Sequence, residues 1–139
     1  DKVGRLDKLR FWEAVTTTDL VGDGLVLNPD EFYILASREF VCVPENFAAE
    51  MRPYDTRVGE FRAHYAGFFD PGFGSFDVGK TRAVLEVRSH DVPFLVEQDQ
   101  IVCRLVYESM SETPKSLYGA MQSASNYQSQ GLKLAKHFK

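Results

Sequence analysis

Glu86 lies in RAVLEVRS, residues 82–89, where Ala83, Leu85 and Val87 alternate with Val84, Glu86 and Arg88. Period-two alternation marks a strand, so a carboxylate is held on one face of a strand among apolar neighbours. A carboxylate whose pKa is lifted by a partly apolar surround can take a proton from water and pass it on to a ring nitrogen or a leaving amine. A second candidate is MRPYDTRVGEFR, residues 51–62, in which Arg52, Arg57 and Arg62 recur every five positions. Guanidinium groups orient and stabilise charged intermediates. A third is HYAGFFDPGFGS, residues 64–75, where Asp70 opens a D-P-G-F turn among phenylalanines, with too much proline and glycine for a helix or a central strand. Each site alone has a plainer reading. Surface arginines stay solvated, an aspartate before proline starts a turn, and a strand carboxylate points to water.

The elements that must hold these residues read as short strands. With 10 glycines and 6 prolines in 139 residues, 44% hydrophobic and 13% aromatic, the chain suits one mostly β domain with a core of its own. The strand candidates are GLVLNP (24–29), EFYILAS (31–37), EFVCVP (39–44), FRAHYAGFF (61–69), RAVLEVRS (82–89), VPFLVE (92–97) and QIVCRLVYE (100–108). ENFAAEMR (45–52), stopped by Pro53, predicts one short helix. Leu6, Leu9 and Val15 trace a short amphipathic path in the first 19 residues. Residues 113–139 are polar and too poor in aliphatic side chains to build a core, so they are expected to order only on a neighbouring subunit, a ligand or both. The organisation is thus a lead-in or linker over 1–23, a β domain over 24–112 and a tail over 113–139.

A formal charge of -4 argues against binding a polyanion such as duplex DNA. Cys42 and Cys103 sit in strand-like runs without C-x-x-C spacing and read as reduced core residues of a cytoplasmic protein. No apolar run approaches the roughly 18 residues of a spanning helix, and no signal peptide is visible, so no membrane partner is expected. A start at Asp1 suggests part of a longer polypeptide.

Together these segments resemble the dCTP deaminase family, a branch of the trimeric dUTPase-like β fold. The pattern is a strand, a proline and a second strand, then V-x-x-P, in VLNPDEFYILASREFVCVPENFAAEM. It continues with an arginine-bearing loop, RPYDTRVGEF, the turn YAGFFDPGF, the strand AVLEV, and a tail with Y-G and Y-Q-x-Q, LYGAMQSASNYQSQG. The likeness runs from about Gly24 to Phe138. The link GSFDVGKTR and the ending GLKLAKHF look like the longer proteobacterial type, in which this unit is the C-terminal half.

The resemblance implies a dUTPase-like distorted β-barrel or jelly-roll-like subunit with one short helix, assembled as a homotrimer with nucleotide sites between chains. It implies hydrolysis of dCTP to dUTP and ammonia, with dCTP and dUTP as ligands and dTTP as a candidate effector. Glu86 falls on the catalytic glutamate and Arg57 on the arginine that holds the water and the base. Asp70 falls on the acid that binds the deoxyribose 3'-hydroxyl, and Phe73 on the ring beside the sugar, where no 2'-hydroxyl fits. Ala66 falls beside the pyrimidine, Arg52 on a phosphate contact, and Tyr118 and Gln130 on tail residues that close over the triphosphate. Pro53 and Tyr54 replace a Ser-Ser pair common in the family, leaving Thr56, the backbone or another chain to supply those donors. Asn126 replaces a lysine, with Lys133 and Lys136 as substitutes.

Mg2+ is expected with the triphosphate rather than in a protein cage. Zinc is not expected, because zinc base deaminases use H-x-E with P-C-x-x-C, and His64, His90, His137, Cys42 and Cys103 show no such spacing. His64 reads as a strand residue near the pocket. Two other readings stay open: a diphosphatase or bifunctional enzyme in which Asp70 activates a water toward the α-phosphate, and a nucleotide-binding or scaffolding half without catalysis.

Overall fold

Short runs of branched and aromatic residues, punctuated by glycine and proline, pair as strands because neither neighbour in sequence nor helical period can bury them. The computed structural model describes residues 3–53, 61–65, 68–75, 79–89, 91–120, 132, 134 and 136–138. Among them run β1 (Gly24–Leu27), β2 (Tyr33–Phe40), β3 (Phe47–Pro53), β4 (Phe61–Tyr65), β5 (Phe68–Phe69), β6 (Arg82–Ser89), β7 (Phe94–Glu97) and β8 (Cys103–Ser109). All pairings between them are antiparallel. β1 pairs with β7, β6 lies between β2 and β4, and β3 lies between β5 and β8.

The core forms where these sheets face each other. Leu27, Val41, Val43, Ala49, Met51, Phe73, Ala83, Leu85 and Val87 make one buried cluster. In β6 the alternation anticipated from sequence is realised: Ala83, Leu85 and Val87 are 3%, 2% and 0% exposed. Burying Leu85 or Val87 stabilises by about 1.5–3 kcal/mol each. A one-residue slip would exchange them for Glu86, so the register of β6 is fixed by the core.

β2 carries a bulge between Ala36 and Phe40. Side chains take over the ladder there. Ser37 Oγ accepts from Ala83 N at 3.0 Å and donates to Glu39 O at 2.8 Å. The Arg82 guanidinium donates to the carbonyls of Ser37 (2.6 Å) and Arg38 and lies over the Phe40 ring, 4.4 Å from its centroid.

Three expectations are corrected. The short helix over 45–52 is strand β3: Ala49 and Met51 point into the core, and Glu50 and Arg52 away from it. Pairing with β8 from Phe47 to Pro53 outweighs the helix propensity of Ala48, Ala49, Glu50 and Met51. Among the described residues helix is limited to two 3-10 turns, Lys8–Arg10 and Thr17–Asp19. The described strands form three sheets, of two, three and three strands. Cys42 is exposed, because Val41 and Val43 take the inward positions of their extended segment. Cys103 is half-buried, and burial pushes its thiol pKa up. Finally, the end of the tail is ordered on its own chain, with Lys136 and His137 accepting backbone hydrogen bonds from Gly4 and Leu6. No described helix is long and apolar enough to cross a membrane.

Candidate active site

Glu86 stands at the middle of β6, half-buried, on the side of the sheet away from Leu85 and Val87. Its sequence neighbours therefore do not surround it, contrary to the reading from sequence: they face the core. The apolar groups on its own face are Val84, two residues away, and Ile34, directly opposite in β2, both half-buried. On the other side its register partner is His64 of β4. His64 is a strand residue, as anticipated, in register with Glu86. Arg88 follows on the same face and is exposed.

The turn after β5 is built from glycines in conformations that other residues rarely adopt. Gly72 and Gly74 have φ of 88° and 73°. A Cβ on Gly74 would lie 2.1 Å from Val41 O, and one on Gly72 would lie 2.9 Å from Leu117 Cβ. The turn is stapled to the core segment on both sides: Gly72 N donates to Val43 O (3.0 Å) and Val43 N to Phe73 O (2.8 Å). Phe73 N donates to Asp70 O at 3.0 Å, and Ser75 Oγ to Gly72 O at 2.6 Å. Asp70 is exposed at the rim. Phe73 is 5% exposed and packs edge-on against Phe69, with centroids 4.9 Å apart. Its ring anchors the turn from beneath.

Tyr118 meets this turn. Its ring lies 5.5 Å from that of Phe73, and its amide donates to Pro71 O at 2.9 Å. The start of the tail is therefore docked on the segment that presents Asp70. Arg52, on the outer face of β3, pairs through Nε with Glu50 Oε2 at 2.7 Å and faces Glu108 Oε1 at 3.6 Å. Exposed pairs of this kind are worth about 0–1 kcal/mol. Arg57, Ala66, Gln130 and the loop residues Tyr54 and Thr56 lie outside the described residues, as do Asn126 and Lys133. The structure thus joins Asp70, Phe73 and Tyr118 through one turn and places Glu86 on a separate sheet beside β4.

Sequence reasoning missed Ile34 as the neighbour of Glu86 and Leu117 as the residue packed on Gly72. Both contacts span long sequence separations, and no local pattern announces them. A shallow open groove runs along Leu9, Arg10, Phe11, Trp12, Glu13 and Ala14 and contains none of the candidate residues. Among the described residues no group of three or more His, Cys, Asp or Glu could hold a metal ion.

The family profile described as 2'-deoxycytidine 5'-triphosphate deaminase (DCD), C-terminal domain, matches residues 1–138. The chain belongs to this family. Similar proteins agree with that placement. The dCTP deaminase, dUMP-forming, of Methanobrevibacter smithii is 30% identical over 127 residues, covering 89% of this chain and 61% of that protein. Its counterpart in Methanothermobacter thermautotrophicus is 30% identical over 119 residues, covering 83% and 57%. The crystal structure of 2'-deoxycytidine 5'-triphosphate deaminase from Agrobacterium tumefaciens is 60% identical, with a TM-score of 0.69 over 79% of this chain and 32% of that one. The chain thus spans about three fifths of the first relatives and about a third of the Agrobacterium chain. The fold of this DCD C-terminal domain is mainly β and dUTPase-like.

Proposed function

We propose that this domain catalyses hydrolytic deamination of dCTP, dCTP + H2O giving dUTP + NH3, with Glu86 as the proton carrier and no zinc. The observation that carries the reading is the placement of Glu86: half-buried, locked in register by the core side of β6, with Ile34 and Val84 on its own face. A fixed carboxylate can accept the proton of a water attacking C4, protonate N3, and supply the proton that leaves with ammonia. Arg57 orients the water and the base. Asp70 receives the deoxyribose 3'-hydroxyl on the turn anchored by Phe73, Ala66 leaves room for the pyrimidine, and Arg52, Tyr118 and Gln130 meet the triphosphate and the Mg2+ it brings. The domain works in the cytoplasm as a homotrimer, and a second chain laid on the half-buried face of β2 and β6 completes the dry surround that a general acid–base carboxylate needs.

The relatives named dUMP-forming favour a second reading, in which the same site also cleaves the triphosphate: dCTP + 2 H2O giving dUMP + diphosphate + NH3. Asp70, exposed at the rim of its turn, is then the group that activates the second water. Resolving the products of dCTP and of dUTP, each with Mg2+, separates the two. Ammonia with an intact triphosphate supports the first, and diphosphate supports the second. Loss of general acid–base catalysis costs about 10²–10⁴-fold, so Glu86→Gln is expected to reduce ammonia release by at least about 10²-fold. Unchanged turnover in Glu86→Gln would make this half a nucleotide-binding scaffold and sink both readings.

A further inference from the structure

Glu86 owes its neighbour Ile34 to the pairing of β2 with β6, and that pairing contains two registers. From Tyr33↔Val87 to Ala36↔Val84 the strands follow one, with Ile34 opposite Glu86, whereas Phe40↔Arg82 belongs to another. Between them β2 advances four residues, Ala36 to Phe40, while β6 advances two, Val84 to Arg82. Continued along the strands, the Phe40↔Arg82 register would set Arg38 opposite Val84, Ala36 opposite Glu86 and Ile34 opposite Arg88.

A shift of two residues preserves the alternation of faces. The core forbids a one-residue slip of β6 but does not separate these registers, because Ala83, Leu85 and Val87 stay inward in both. So do Tyr33 and Leu35, which pack against the same core. Pairing with β4 does not reach the bulge either: among the described residues it ends at Tyr65↔Leu85, which leaves residues 82–84 beside β2 alone.

Two features do separate the registers. One is Glu39, which the shifted register would set opposite the buried Ala83. The other is the bulge itself, whose backbone groups are taken by two side chains. Ser37 Oγ accepts from Ala83 N at 3.0 Å and donates to Glu39 O at 2.8 Å. The Arg82 guanidinium donates to the carbonyls of Ser37, at 2.6 Å, and of Arg38, and lies 4.4 Å from the Phe40 centroid. In the shifted register Ser37 would stand opposite Leu85, away from Ala83 N, and these bonds would be lost. Arg82 is four residues from Glu86 on the same face of β6.

We infer that Arg82 and Ser37 are positioning residues for the deamination: they hold the two extra residues of β2 in the bulge and so keep Ile34, not Ala36, opposite Glu86. The inference rests on the reading of Glu86 as the proton carrier. Exchanging Ile34 for Ala36 strips apolar surface from the face on which the carboxylate works and moves the strand beside it. The lock therefore acts on the chemical step and not on nucleotide binding.

The test compares Arg82→Met, which keeps an aliphatic stem without donors, and Ser37→Ala with Arg82→Lys, which keeps a charged donor but not the fork. The register is read from cross-strand nuclear Overhauser contacts between the backbones of residue 86 and β2, and catalysis from kcat and KM for dCTP with Mg2+. Arg82→Met is expected to weaken the Ile34–Glu86 contact in favour of Ala36–Glu86, and to lower kcat at least about tenfold with KM within about twofold. Ser37→Ala moves both readouts the same way, and Arg82→Lys recovers part of each. Wild-type contacts in both Arg82→Met and Ser37→Ala overturn the lock and leave the reading of Glu86 standing. A shifted register with wild-type kcat, or a rise in KM at constant kcat, overturns its role in the chemistry. The contacts are read without turnover, so they test the lock even where unchanged ammonia release in Glu86→Gln has overturned the reading of Glu86. Should Arg82→Met not fold, wild-type contacts and wild-type kcat in both Ser37→Ala and Arg82→Lys overturn the proposal.

Discussion

Gly74 illustrates how much of the site rests on single backbone positions. Its φ of 73° lies where side-chain-bearing residues are strained, and the carbonyl of Val41 occupies the place of a Cβ, at 2.1 Å. Gly79 has a similar φ of 76° and nothing within 4 Å of that place. The two therefore separate conformational strain from collision. Gly79→Ala pays only the strain, about 1–2 kcal/mol. Gly74→Ala must also push the extended segment 41–43 away from the turn, and is expected to cost at least about 3 kcal/mol, with loss of the Asp70 geometry. Urea midpoints of both variants decide it: equal destabilisation would mean that the close approach of Val41 is unimportant. Trp12 shows the opposite economy. Its Nε1 is shut off from solvent and, among the described residues, has no hydrogen-bond acceptor. Replacing the indole by a phenyl ring removes that donor, so Trp12→Phe is expected to cost less stability than Trp12→Ala, as paired urea midpoints would show.

At the scale of elements, β6 was legible in the sequence and β3 was not, and the difference is physical. RAVLEVRS sets Ala83, Leu85 and Val87 against Arg82, Glu86 and Arg88, and its β-branched Val84 and Val87 favour strand, so pattern and propensity together name the strand and the buried side of it. In FAAEMR the same alternation is present, Phe47, Ala49 and Met51 against Ala48, Glu50 and Arg52, but most of these residues favour helix as well. Only the pairing with β8 decides, and pairing is a long-range fact. The site divides in the same way: Glu86, Asp70 and Phe73 carry local signatures of strand and turn, whereas Ile34 opposite Glu86 is set by the pairing of β2 with β6. The β1–β2 turn offers a test at this scale. Hydrogen bonds from Tyr33 and then Asn28 hold the Glu31 carboxyl below its ordinary 4.5. A carboxyl depressed on folding adds stability that is present above 4.5 and is lost as pH falls through the lower folded value. Denaturation midpoints of Glu31→Gln should therefore fall less steeply than wild type as pH drops below 4.5, and parallel curves would show that this turn is not held by the charge.

For the molecule as a whole, the arrangement of sheets predicts where rigidity is concentrated. β6 is paired on both sides, with β2 and β4, and three of its side chains are among the most buried in the described chain. β1 and β7 form a separate two-stranded sheet with four paired positions, and Leu95 within it is 43% exposed. Local opening costs least where few apolar contacts and few flanking hydrogen bonds must be broken. Amide exchange is therefore expected to be slowest along Ala83–Val87 and clearly faster at Leu95 and Val96. Such a gradient suits the proposed chemistry, since a general acid–base group must hold its place to within a fraction of an ångström. Exchange in β6 as fast as in β7 would remove the rigid platform on which the role of Glu86 depends.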